Sequence, residues 1–98
     1  MVVLVGSNAA WCHPILYQRL GESGAHRESR KVVVIDPRRT ATCDLADLHL
    51  ALRPGSDAIL FNGLLTYLHA HGWLDEGFVE DHTEGFAGAL AAAQASAP

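Results

Sequence analysis

Cysteine is scarce. The 98 residues include two, Cys12 and Cys43, with no Cys-x-x-Cys pair. Neither a disulfide framework nor an iron–sulfur or zinc cluster can be assembled from this chain alone, and both are expected as reduced thiols. Positive charge is short as well: seven Lys and Arg against eleven Asp and Glu give a formal charge of −4. The long-range field that draws proteins to nucleic acid is missing, and no nucleic-acid partner is expected. The longest apolar stretches, Met1 to Val5 and Val32 to Ile35, fall far below the about 20 residues that cross a bilayer. The N-terminus has neither the basic region nor the cleavage pattern of a signal peptide, so a cytoplasmic chain with no membrane partner is expected. No Ser, His and Asp arrangement and no marked acid pair stands out. His13 follows Cys12 without a second pair at ligand spacing, and His69 and His71 point to different helix faces. Neither a self-sufficient active site nor metal ligation by this chain is expected.

What remains is a globular composition, 49% hydrophobic and 18% charged, long enough for one small domain of marginal stability. Met1 to Val5 is a Val-rich run that suits a strand buried on both faces of a parallel sheet. Pro14 opens a helix with Ile15, Leu16 and Leu20 on its apolar face, stopped by Gly21 and Gly24. A polar stretch from Glu22 to Lys31 leads into a second buried strand, Val32 to Ile35, giving a strand, helix, strand unit. Thr40 to Asp47 holds at most a short helical turn, with Thr40 or Thr42 as cap and Asp44 near its positive end. Leu48, Leu50 and Leu52 alternate with polar and small residues, a third short strand. Pro54 to Asp57 is a turn that delivers Ser56 or Asp57 to the N-cap of the longest helix, whose inward residues are Ile59, Leu60, Leu64, Leu65 and Leu68. Gly72 ends it. Leu74 to Asp81 and Phe86 to Ala95 read as two further helices around the turn His82 to Gly85.

Each strand hands over to a polar loop, and in a parallel α/β sheet such loops share the carboxyl edge where ligands bind. In the first, Gly6 lets the backbone approach a ligand, while Ser7 and Asn8 add donors suited to a phosphate oxygen. With no Gly-x-Gly-x-x-Gly present, the same residues also read as an ordinary strand-to-helix turn. Asp36 stands at the tip of the second strand, where dinucleotide folds place an acid on a ribose; it reads equally as a cap of the next turn. Arg38 and Arg39 suit phosphate oxygens, one of them also reading as a solvated surface arginine. Asp57 can accept from the N1 and N2 donors of a guanine, or serve as a plain N-cap.

These loops, Gly-Ser-Asn-Ala-Ala-Trp-Cys-His-Pro (6–14), Ile-Asp-Pro-Arg-Arg-Thr (35–40) and Arg-Pro-Gly-Ser-Asp (53–57), followed by His-Thr-Glu-Gly-Phe (82–86), occur in order. The series resembles the molybdopterin oxidoreductase family, and the run from Ala9 to Arg19 is most similar to its assimilatory nitrate reductases. The resemblance implies an α/β, Rossmann-like, three-layer dinucleotide-binding-type domain, a short parallel sheet flanked by helices. It further implies a partial molybdopterin guanine dinucleotide-binding domain over residues 1–86, with an Ala-rich helix or tail over 87–98. Gly6, Ser7, Asn8, Cys12 and His13 would lie along the pyrophosphate, and Asp36, Pro37, Arg38, Thr40, Gly55, Ser56 and Asp57 around the guanosine end.

Family members run several times this length, carry an N-terminal cysteine cluster for a [4Fe–4S] centre, and generally supply a protein ligand to molybdenum. The expectation is therefore a piece of a nitrate-to-nitrite reductase holding one end of a molybdenum bis(molybdopterin guanine dinucleotide), with the [4Fe–4S] cluster bound elsewhere in the parent polypeptide. Neither Cys12 nor Cys43 is promoted to molybdenum ligand. A stand-alone nucleotide-binding module and a small interaction protein of the same fold are the competing readings.

Overall fold

The computed structural model describes residues 1–22 and 28–96; Gly24, expected as a helix stop, lies outside the described residues. The chain divides into two compact units, Met1–Pro54 and Gly55–Pro98.

The first unit is α/β. Strand β1 (Val2–Val5) leads into two short helices, α1 (Ala9–Cys12) and α2 (Pro14–Gly21), then β2 (Val32–Ile35), a 3₁₀ segment (Ala41–Leu45) and β3 (Leu48–Leu50). The strands form a three-stranded parallel sheet in the order β1-β2-β3. Val, Ile and Leu dominate them because β-branched and large apolar chains fit a pleated, covered surface. Pro14 begins α2 as expected, its missing N–H costing nothing in a first turn.

Register decides what is buried. Leu4, Val34 and His49 lie side by side on one sheet face, Val3, Val33 and Leu48 on the other. Val32 and Val34 are fully buried on the first face, on the side where Leu16 and Leu20 of α2 stand across from Val2 and Leu4. On the second face Val3, Val5 and Leu48 are 40%, 41% and 49% exposed. The expectation that β1 is buried on both faces is thus corrected: β1 is an edge strand with alternating burial. A pure Val run hides that alternation, because both of its faces are equally apolar. Ile15 and Leu16 likewise face solvent rather than a core.

The unit is tied across its loops. Asp47 Oδ2 accepts from the N–H of Val32 at 2.7 Å, and the N–H of Asp47 donates to the Val32 carbonyl at 2.8 Å, fixing the start of β2. Tyr17 donates its hydroxyl to the Ala41 carbonyl at 3.2 Å, joining α2 to the 3₁₀ segment.

The second unit is helical: α3 (Asp57–Ala70), α4 (Glu76–His82) and α5 (Phe86–Ser96). Gly72 (φ +66°) ends α3 in the left-handed conformation only glycine adopts freely. Helices α3 and α5 pack together, with Ala93 buried and Asn62 Nδ2 donating to Ser96 Oγ at 2.6 Å. Of the residues expected to face inward on α3, Leu60, Leu65 and Leu68 are half-buried, whereas Ile59 and Leu64 are exposed. The polar residues of α3, Asn62, Thr66 and His69, recur at helical spacing, but Asn62 and Thr66 are half-buried and Asn62 bonds to Ser96, so the apolar pattern wrongly points Ile59 and Leu64 inward. Asp75 caps α4, its Oδ1 accepting from the N–H of Phe78 at 2.9 Å. No described helix is long and apolar enough to cross a membrane.

Candidate functional site

Because Val5 pairs with Ile35 and Ile35 with Leu50 in parallel register, the carboxyl ends of all three strands lie on one edge of the sheet. That edge carries Gly6-Ser7-Asn8 after β1 and Asp36-Pro37-Arg38-Arg39-Thr40 after β2. Gly6 has φ +56° and open space where a Cβ would stand, which gives a ligand close access to the backbone. Its own N–H donates to the Ile35 carbonyl at 2.8 Å, locking the loop onto the end of β2.

Asp36 is 4% exposed. Its Oδ1 accepts from the N–H of Arg38 at 2.8 Å and lies 3.9 Å from Arg38 Nε, so one carboxylate oxygen caps its own turn. The capping reading is met by Oδ1, and Oδ2 takes no part in either contact. The Asp36 carbonyl lies 2.8 Å from Nε2 of His49 on β3; a carbonyl only accepts, so Nε2 carries the hydrogen. Pro37, Arg38 and Arg39 are exposed. Thr40 occupies the cap position of the 3₁₀ segment without a side-chain cap bond, and its Oγ1 is buried with no partner among the described residues. The expectation of Thr40 as a capping side chain is corrected by that geometry. An unpaired buried hydroxyl costs about 1–3 kcal/mol, and Thr66 Oγ1 on α3 is likewise without a partner among the described residues.

Thr42, the alternative cap in the sequence reading, turns away from its own segment. Its Oγ1 donates to Asn8 Oδ1 at 2.9 Å and accepts from the N–H of Ala10 at 3.1 Å, bridging the two strand-end loops. Sequence reasoning missed this bridge and the His49 contact, because neither partner lies near in sequence. Ser7 is half-buried and His13 exposed, both lining an open cleft of about 620 Å³ between β1 and α2. Cys12 is exposed at the end of α1, and Cys43 is buried.

Gly55, Ser56 and Asp57 open the second unit. Gly55 has φ +81° with open space at its Cβ position. Ser56 sits at the N-cap of α3 without a side-chain cap bond, and Asp57 is exposed in the first turn.

The sequence and structure have relatives. Residues 1–84 match the family model described as molybdopterin oxidoreductase. The chain belongs to that family. It is 62% identical over 78 residues to a nitrate reductase of Klebsiella oxytoca, covering 80% of this chain and 9% of that protein. It is 38% identical over 89 residues to an assimilatory nitrate reductase catalytic subunit of Bacillus subtilis (strain 168), covering 88% and 12%. Among solved structures, acetylene hydratase from Pelobacter acetylenicus superposes with a TM-score of 0.73 at 30% identity, covering 98% of this chain and 13% of that one. The chain thus spans about a tenth of the length of the relatives it matches.

The family implies a molybdenum–molybdopterin cofactor. The residues of the first unit's strand edge fit a phosphate-bearing group of that kind: the open turn at Gly6 gives close access, and the Asn8 carboxamide, the orphaned Thr40 hydroxyl and two exposed guanidiniums supply donors. Among the described residues no group of three or more His, Cys, Asp or Glu could hold a metal ion.

Proposed function

We propose that this chain is part of a nitrate reductase, reducing nitrate to nitrite in the cytoplasm. Its strand-end loops hold the pyrophosphate and ribose of a molybdopterin guanine dinucleotide. When bound, the molybdenum centre supplies oxygen-atom transfer, and the remainder of the polypeptide carries the [4Fe–4S] cluster. The residues of this chain bind and orient. Ser7 and Asn8 meet phosphate oxygens at the open turn of Gly6, Asp36 accepts from ribose hydroxyls, and Thr40, Arg38 and Pro37 line the same turn. Asp57, with Gly55 and Ser56, takes the guanine-facing part that the family resemblance gives it.

The observation that carries this reading is the buried Asp36 in the same loop as an orphaned Thr40 hydroxyl, at the end of a strand whose neighbour ends in an open glycine loop. A carboxylate held there accepts hydrogen bonds from a sugar edge, and losing such a bond costs about 1.5–3 kcal/mol.

The test is molybdenum and guanine nucleotide content of the full-length enzyme carrying Asp36→Asn, Asp57→Ala or Glu22→Ala. The first two should lose cofactor and the third should keep it. Equal content in all three variants would sink the assignment.

A further inference from the structure

We infer that Thr42 is a positioning residue, acting through Asn8 on the phosphate end of the proposed site. The inference rests on the reading that the strand-end loops hold a pyrophosphate.

Thr42 is fully buried, with Val32 and Val34 the other two largest side chains so placed. Its hydroxyl contributes nothing to its own 3₁₀ segment, bonding instead to residues 34 and 32 positions away. A hydroxyl has one hydrogen. That hydrogen is donated to the Asn8 carboxamide oxygen, while one of the two lone pairs accepts from the N–H of Ala10. The amide is thereby held in one orientation, its two Nδ2 hydrogens turned away from Thr42.

That orientation matters because a carboxamide is ambivalent. With its oxygen outward it repels a phosphate; with its nitrogen outward it donates to one. Asn8 stands at the N-cap of α1, yet its side chain makes no capping bond, so it is not occupied by its own helix. Four of the amides around it are not open to a ligand. The amides of Gly6, Ala10, Trp11 and Cys12 are already engaged, by Ile35, Thr42 and, for the last two, the Asn8 carbonyl. The Asn8 side chain is therefore a donor of this loop beside Ser7, and Thr42 decides which of its ends a ligand meets.

Calorimetric titration of the 98-residue chain with GDP, and in parallel with guanosine, tests this. Thr42→Val keeps the shape and removes the hydroxyl. It should weaken GDP about tenfold, the scale of one lost hydrogen bond to a charged group, while changing guanosine by no more than about twofold. Thr42→Ser, which keeps the hydroxyl, should restore GDP to within about threefold of wild type. Asn8→Ala should lose about as much GDP affinity as Thr42→Val, and the double variant little more than either, because coupled residues are not additive. Equal loss of GDP and guanosine in Thr42→Val, failure of serine to rescue, or additive losses would overturn the assignment.

Should Thr42→Val not fold, Asn8→Asp decides. It keeps an acceptor for Thr42 but replaces both donors with a negative charge, so it should lose GDP and keep guanosine. GDP binding at the wild-type level in that variant would overturn the inference. A wild-type chain that binds neither compound overturns the pyrophosphate reading and this inference with it, whereas GDP binding indifferent to Thr42→Val overturns this inference alone.

Discussion

Met1–Pro54 hides Val32, Val34, Ile35, Asp36, Thr42 and Cys43 from solvent, whereas in Gly55–Pro98 Ala93 alone among the described residues reaches that depth. The first unit has a sheet whose central strand is paired on both sides, so its side chains are enclosed by neighbours of the same layer. The second has α3 and α5 packed together with Ala93 buried, while Ile59, Phe61, Leu64, Tyr67, Trp73 and Phe78 stay 43% to 63% exposed. A helix with Asp57 as its only Asp, Glu, Lys or Arg is the kind of element that sits inside a larger body. The difference teaches where polar chemistry can be held firmly. Buried Asp36 and Thr42 stand in the unit that has a core to brace them, and Asp57 stands exposed in the one that has little.

The largest expected effect breaks the core of the first unit. Ile35, 5% exposed at the end of β2, leaves a cavity when truncated, and Ile35→Ala should cost about 2–5 kcal/mol. Hydrogen exchange followed peptide by peptide should quicken throughout Met1–Pro54. Unchanged protection there would mean the sheet is not the stabilising element of that unit.

Next comes the seam of the second unit. Ala93, 1% exposed, has no room for a larger side chain, and Ala93→Leu should destabilise by about 1–3 kcal/mol through overpacking. Exchange should quicken in α3 and α5. A neutral or stabilising result would show that the seam is loose and that the second unit buries even less than it seems from Ala93.

The order of elements was legible in the sequence, because Gly, Pro and Asp punctuate it. Gly6 after β1, Pro14 at the start of α2, Pro54-Gly55 before α3 and Gly72 after it each set a boundary for a local reason that survives folding. Burial was less legible. Val2 to Val5 has no polar residue to reveal which face is outward, and the polar stripe of α3, Asn62, Thr66 and His69, misleads, because Asn62 and Thr66 are half-buried while the apolar Ile59 and Leu64 are exposed. Gly6, Asn8 and Asp36 read as strand-end loop residues from the sequence, and the structure places them after β1 and β2. The Thr42 bridge was not legible, since its partners are 32 and 34 residues away and a threonine in a turn looks like a cap.

A smaller effect concerns α4, which depends on local chemistry rather than on a core. Asp75 Oδ1 accepts from the N–H of Phe78, and Asp75→Ala should cost about 1 kcal/mol, confined to Glu76–His82. Exchange at the amides of the first turn should rise, and no other element should respond. A loss spread over α3 and α5 would show that the second unit is more cooperative than its exposed side chains suggest.

The smallest effect on stability bears most directly on the contrast between the units. Phe61, Leu64 and Tyr67 recur every third residue along α3 and are 43%, 44% and 52% exposed, forming one apolar stripe on the helix surface. Leucine and glutamate have similar helix propensities, so Leu64→Glu should change the unfolding free energy by about 0.5 kcal/mol or less. Its effect should appear in association instead, because contiguous exposed apolar surface drives proteins together. Sedimentation velocity of the 98-residue chain should show a weight-average mass that climbs with concentration, and Leu64→Glu should flatten that climb. The matching change in the first unit, Val3→Thr on the exposed face of β1, should flatten it less, since β-branching is kept and a single methyl becomes a hydroxyl. Should the two variants rank the other way, the first unit carries the sticky surface, and the open face of the sheet rather than α3 is where the chain most needs cover.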